Sequence, residues 1–459
     1  MKPVPGRDAF YLFDETPAQL RHTLKIIEMR SPAGDDPLRL GQLRDHVGSR
    51  LRHIPAMRRK VAFAPRPFFR AIWFDPGLPE VGRLIDEVDL PFPGRRDDLN
   101  RLASDLMAGM LDRELPLWKL WLVNGLEGGR QALIFKVHHA VADGAASRRI
   151  LEQLFSATND DDDRREDSAP DGEVRPRRRS LVGAAITADA TVPGRVGRSL
   201  KPFMNSLREA SALKRRGITE APLLAGPPVV WNAMPTTART IGTVSVPLAS
   251  VAAIREQQAC SSSDVLLSAV AGAVRRYLGD DVPDVPLTAN VPMNRVPESV
   301  ELGGNTTTSF GVMLPTNVAG PLERIELVKT ALAHARQHHQ AIDYRYWKAL
   351  CEFYPLYRAS TRVGLAIGAR RGRALYGLIV TSVPGPRIPL SIGTSELESI
   401  YSVGPVVDDI GLNVTAWSYR HSLHITASGC PEHVSSADSF LADIVTEIDA
   451  LAALGAAGT

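Results

Sequence analysis

The stretch that most constrains this chain is Val137 to Gly144, V-H-H-A-V-A-D-G, which stands where a strand must give way to a helix. Leu133 to Val137 is a short apolar, partly β-branched run of strand length, and Ile150, Leu151 and Leu154 then repeat at helical spacing. Two adjacent histidines therefore fall on the connecting loop, with Asp143-Gly144 at the position of a helix start. The arrangement suits proton transfer, because an imidazole's ordinary pKa of about 6.5 lets it act first as a base and then as an acid near neutral pH. Asp143 either fixes the tautomer of His139 across the turn or pins the loop by pairing with a distant arginine, and the spacing admits both. A plainer alternative is an N-cap aspartate beside two hydrogen-bonded loop histidines. The doubled histidine and the trailing glycine sharpen the catalytic reading.

The segment resembles the HHxxxDG signature of the bacterial wax ester synthase/diacylglycerol acyltransferases, a family within the CoA-dependent acyltransferases that include chloramphenicol acetyltransferase and peptide-synthetase condensation domains. Its flanks agree. Leu111 to Trp118 (L-D-R-E-L-P-L-W) is similar to that family's LDR-x-x-PLW segment, and Gly125-Leu126, Gly129-Arg130 and Lys136 match the approach to its histidines. Ser263-Asp264 ahead of Arg275 to Leu278 resembles its Asn-Asp motif, and Val291 to Arg295, Gly304-Asn305, Leu314 to Thr316 and Val383 to Pro386 follow in family order. Two positions differ from the pattern: Ser263 stands for asparagine, and Thr381-Ser382 for the Ser-Asn ahead of Val-Pro-Gly-Pro. The resemblance covers most of the chain outside residues 156 to 225.

What this resemblance implies is an α/β (α+β) protein of two chloramphenicol-acetyltransferase-like lobes with the active-site channel between them. His139, four residues before Asp143, is then the general base, Asp143 orients or holds the loop, and His138 and Gly144 support it. Arg295 is the leading candidate to pair with Asp143, and Asn305, Thr381 and Ser382 are candidate oxyanion donors. The implied reaction transfers a fatty acyl group from acyl-CoA to diacylglycerol, giving triacylglycerol, or to a long-chain alcohol, giving a wax ester. Acyl-CoA is a co-substrate and no cofactor is expected. The alternatives are an enzyme of the same fold acting on another alcohol or amine, and a non-catalytic lipid-binding scaffold. Intact His138, His139, Asp143 and Gly144 argue against the scaffold, and the lack of a G-x-S-x-G elbow fits a base that serves two bound substrates.

Composition sets limits around this reading. A chain of 459 residues, 44% hydrophobic, has room for two domains with substantial cores. A net charge of only +3 argues against a dedicated nucleic-acid binder. Cys260, Cys351 and Cys430 are odd in number and scattered, so no disulfide framework or metal finger is expected and a reducing cytoplasm fits. There is no signal-peptide pattern and no apolar run of the roughly 18 residues that span a bilayer, so contact with a membrane or lipid droplet is expected to be peripheral. His334 and His338 stand four apart on an expected helix but lack an acidic or cysteine partner at ligand spacing, and no metal is expected there.

The chain divides into an N-terminal lobe at 1–155, a charged linker or crossover at 156–228, partly disordered, and a C-terminal lobe at 229–459. In the first lobe the apolar run from Leu20 to Met29 suits a strand in its second half, 38–52 and 97–112 read as helices, and Trp118 to Val123 as a strand. The charge-rich run at 159–167 and the arginines at 175 and 177–179 suit a solvated segment. Residues 195–217, basic around Leu200, Phe203, Met204, Leu207 and Leu213, predict an amphipathic helix suited to a membrane surface. In the second lobe 243–246, 286–292 and 376–383 read as strands, 412–417 with 423–426 as a hairpin, and 264–278, 325–341 and 440–451 as helices.

Overall fold

Residues 22–30 expose almost nothing on either face, since only Arg30 of His22–Arg30 is open to solvent. A strand covered on both sides loses the alternation of a half-buried one. That is why this run reads ambiguously in sequence and why it sits mid-sheet in the fold. The computed structural model describes residues 2–456 apart from 32–35, 67, 69, 157–171, 295–306, 347–350 and 352–353.

The first lobe is built on a six-stranded sheet in the order Ser391–Ile392, Ser395–Val403, His22–Arg30, Arg130–His138, Trp118–Leu126, Ile85–Asp89. Neighbours are antiparallel except the last pair. The second lobe carries another six-stranded sheet, in the order Thr307–Leu314, Leu287–Asn294, Leu378–Pro384, Leu412–Tyr419, Ser422–Gly429, Thr240–Pro247. Here only Leu378–Pro384 runs parallel to its neighbours. A small third sheet joins Lys2–Pro3, Ala71–Phe74 and Lys60–Phe63. Helices cover the sheets, and Ser262–Leu278 is buried nearly all round against the second lobe's core.

The division by residue number does not divide the cores. Strand Ser395–Val403 belongs to the C-terminal half, yet it pairs with His22–Arg30, Tyr401 opposite Ile26 and Ser402 opposite Lys25. Leu397, Ile400 and Trp417 accordingly pack in one cluster with Ile27, Phe135 and Val137. A strand donated across the interface fixes one lobe against the other.

Residues 172–228 differ from the expected linker. Arg178–Arg215 is a single 38-residue helix, longer than the expected 195–217, and it contains Pro193 and Pro202. Its buried residues, Leu181, Ala185, Val192, Ser199, Phe203, Ser206, Ala210 and Leu213, recur every three, four or seven positions. Such a narrow stripe is easily hidden in sequence by small residues and prolines. Leu181 and Ala185 seat on the small sheet beside Ala62, Ile72 and Phe74, and Phe203 stacks on Tyr346 at 4.5 Å. Of the apolar residues expected on one face, Phe203 and Leu213 are buried while Leu200 and Met204 are exposed. Among the described residues no helix is long and apolar enough to cross a membrane.

Because the first sheet ends on a borrowed strand, residues 1–228 expressed alone should not fold. The fragment leaves the edge of His22–Arg30 and its apolar faces uncovered. We expect a broad, non-cooperative thermal transition by circular dichroism, and a sharp cooperative melt of the fragment would contradict the strand exchange.

Candidate active site

Strand Arg130–His138 ends on the first histidine, and a short turn leads to helix Gly144–Phe155. The His138 carbonyl accepts the N–H of Val141 at 2.9 Å, and the His139 N–H donates to the Arg21 carbonyl at 2.7 Å. The turn is thereby tied to the start of the neighbouring strand. The two imidazoles diverge. His138 is buried, with Nδ1 accepting the N–H of Ala140 at 3.0 Å, so in the neutral ring the proton resides on Nε2, 3.6 Å from Glu15 Oε1. His139 is half-buried, stacks on Tyr11 with ring centroids 4.7 Å apart, and lines the large cavity between the lobes.

Glu15 is the post under this turn. Its Oε1 lies 2.8 Å from His22 Nε2, and its Oε2 accepts from Arg113 Nη2 at 2.9 Å. Burial opposes charge on the carboxyl, but the interactions with His138 and His22 outweigh it and hold the group well below the usual carboxylate range. Burial pushes His22 down to about 3 and lowers His138 as well, against the pull of Glu15. At neutral pH the trio is one carboxylate with two uncharged imidazoles. Ligand-type atoms of Glu15, His22 and His138 lie within 4.8 Å of one another. Arg113 engages Glu15 Oε2 and the Ala140 N–H engages His138 Nδ1, while Glu15 Oε1, His22 Nε2 and His138 Nε2 face one another.

Asp143 and Gly144 face the other lobe. Asp143 Oδ1 caps the helix by accepting the Ala146 N–H at 2.9 Å, and Oδ2 accepts the Thr307 hydroxyl at 2.8 Å. Thr307 opens strand Thr307–Leu314 of the second lobe, so a carboxylate buried to 1% exposure joins the halves. A Cβ on Gly144 would lie 3.1 Å from Val383, so the missing side chain lets that strand close on the histidine turn. Arg295 and Asn305 lie outside the described residues. Thr381 and Ser382 are partly exposed and line the cavity, as does Ser263. Asp264 instead closes a capping box, its Oδ2 accepting the Ser261 N–H at 2.7 Å.

The cavity holds about 590 Å³, within the usual range for small-molecule sites. Its first-lobe wall is polar, with Arg21, Thr23, Lys25, His139, Asp143 and Arg148. The second lobe supplies the larger apolar residues, including Leu266, Val291, Phe310, Val380 and Trp417, alongside polar ones such as Asn290, Thr381, Arg336 and Arg387. Such a channel can hold an aliphatic chain while presenting a base to its reactive end. Tyr11, Glu15, His22, Lys25 and Thr307 belong to no local motif, and sequence reasoning missed them. The register that sets His22 opposite His138 is what brings them in.

Comparisons with known proteins follow this geometry. The profile of the wax ester synthase/diacylglycerol acyltransferase catalytic domain matches residues 5–266, and that of the WS/DGAT C-terminal domain matches residues 303–452. Two Mycobacterium tuberculosis proteins named as candidate diacylglycerol O-acyltransferases are similar to the chain. One is 26% identical over 442 residues, covering 94% of this chain and 86% of the relative. The other is 28% identical over 433 residues, covering 91% and 90%. The fold is similar to that of a wax ester synthase/diacylglycerol acyltransferase from Marinobacter aquaeolei, with a TM-score of 0.69, 21% identity and coverage of 99% and 100%. It is also similar to the first condensation domain of the CDA synthetase, with a TM-score of 0.62, 15% identity and coverage of 99% and 96%.

Glu15→Ala should destabilise the protein by about 3–5 kcal/mol, because it removes the carboxylate beside the two buried imidazoles and leaves Arg113 on the neutral Leu12 carbonyl. In the wild type the folded pKa values of His22 and Glu15 lie below their ordinary values of 6.5 and 4.5. Folding binds fewer protons than unfolding there, so the stability is complete above pH 6.5 and lost as the pH falls. Urea midpoints should decline on acidification from about pH 6.5 downward, and a flat series would contradict the neutral-imidazole assignment.

Proposed function

Because the chain belongs to the wax ester synthase/diacylglycerol acyltransferase family, we propose that it transfers a fatty acyl group from acyl-CoA to the hydroxyl of diacylglycerol or a long-chain alcohol, with His139 as the base. The observation that carries this reading is the divergence of the two histidines. His138 is turned inward over Glu15, and His139 is the imidazole on the cavity wall.

In the proposed reaction His139 takes the acceptor's hydroxyl proton as its oxygen attacks the thioester carbonyl. A C–O bond forms, the carbonyl oxygen becomes an oxyanion, and the tetrahedral intermediate collapses with loss of the C–S bond. The imidazolium returns its proton to the departing CoA sulfur. Thr381 and Ser382, on the cavity wall contributed by Leu378–Pro384, are among the described hydroxyls that could serve an oxyanion. Asp143 acts through the loop in this scheme, its oxygens engaged by Ala146 and Thr307. Tyr11 holds the His139 ring by stacking. The larger apolar residues of the second lobe support an acyl chain and a lipid acceptor over a polar one.

The test is release of thiol from palmitoyl-CoA in the presence of diacylglycerol, hexadecanol or a long-chain amine. Wild type should release thiol with the alcohols. His139→Ala should lose about a hundred- to ten-thousand-fold in rate with its melting temperature little changed, while His138→Ala should keep a measurable rate and lose stability. Full turnover by His139→Ala would remove the base assignment, and release with the amine alone would move the acceptor to another class.

A further inference from the structure

Lys25 is a buried cation of the cavity lining for which the proposed reaction has no use. It sits mid-strand in His22–Arg30 with 0% of its surface exposed, and its Nζ has no hydrogen-bond partner among the described residues. Other buried polar atoms of the cavity lining share this condition, among them Thr23 Oγ1 on the same strand and Trp417 Nε1 on the facing strand of the second lobe. Lys25 Nζ lies 5.3 Å from the centroid of the Trp417 ring. Thr23 and Lys25 are two residues apart on one strand and so face the same side. An ammonium, an indole N–H and a hydroxyl together offer more donors than the hydroxyl oxygen alone can accept.

Such a cluster is costly to keep. Burying a polar group without a hydrogen bond costs roughly 1–3 kcal/mol, and an uncompensated charge costs more. Burial alone pushes Lys25 down to about 7, with no nearby carboxylate to oppose it. Lys136 shows the contrast. It also comes down to about 7, but its Nζ donates to the carbonyls of Leu106 at 2.7 Å and of Gly109, at the end of helix Arg96–Ala108. Lys136 is satisfied by the fold, and Lys25 faces the cavity.

We infer that Lys25, Thr23 and Trp417 form a subsite for a carboxylate carried by an aliphatic ligand in the channel. A buried cation with no carboxylate acting on it matches an anionic group, and the apolar residues of the cavity match the chain that carries it. His139 is tied by its N–H to Arg21, and Lys25 lies four residues further along the same strand, so roughly 13 Å of backbone separates the two positions. A ligand with a hydroxyl at one end and a carboxylate at the other could span them. The inference rests on the acyl-transfer reading only in naming the hydroxyl end as the reactive one, so an acceptor of this type would be a hydroxy acid.

The test is equilibrium binding of dodecanoate and dodecan-1-ol by titration calorimetry, which needs no turnover. Wild type should bind the carboxylate on the order of tenfold or more tightly than the alcohol. Lys25→Met should lose that preference, keep the alcohol, and melt at or above the wild-type temperature because an uncompensated buried amine is gone. Thr23→Val should weaken dodecanoate and leave dodecan-1-ol unchanged. Equal affinities in the wild type would overturn the subsite. So would a preference that survives in Lys25→Met, since an arginine of the cavity would then hold the carboxylate. A wild type that prefers dodecanoate but transfers no acyl group would sink the acyl-transfer reading and leave the subsite standing.

Discussion

The contact on which this architecture depends is the closure of the second lobe onto the histidine turn. Asp143 reaches Thr307 at 2.8 Å, and the bare Cα of Gly144 admits Val383. The donated strand Ser395–Val403 makes that closure part of the first lobe's own sheet. The cavity wall opposite His139 therefore comes from elements that cannot swing away without breaking a sheet. An imidazole held between lobes so fixed, as His139 is, has its orientation settled by the fold.

Charge burial follows the same logic. Glu15 is held between Arg113 and two imidazoles, so the support beneath the turn is anionic once and cationic only at its rim. Keeping His22 and His138 neutral avoids stacking positive charge behind the residue proposed to take a proton. Lys136, on the same face of its strand as His138, completes a helix end. Lys25, equally buried, does not complete anything in the fold, and that difference distinguishes a structural lysine from one facing a ligand site.

Much of this was legible in sequence where periodicity was strong. Helix Ser262–Leu278, helix Pro321–Ala341 and the hairpin Leu412–Tyr419 with Ser422–Gly429 fall within a few residues of the expected positions. The histidine turn was legible because strand, loop and helix start are consecutive. The rest depends on long-range register. Nothing local marks Ser395–Val403 as a strand of the other lobe, and Glu15 and His22 become partners of His138 only once strands His22–Arg30 and Arg130–His138 pair. The long helix Arg178–Arg215 was hidden because its buried stripe is narrow and its prolines and charges resemble those of a solvated linker. Asp264 carries a family resemblance but spends its carboxylate on a helix cap.

In the proposed reaction the acyl group passes directly from CoA to the bound alcohol, with one base moving the proton and no acyl-protein intermediate. Initial rates over a grid of palmitoyl-CoA and hexadecanol concentrations test it most directly. Double-reciprocal lines that intersect are the predicted result, because both substrates must occupy the channel before the C–O bond forms. Parallel lines, the pattern of a chain that releases CoA before the alcohol binds, would contradict it.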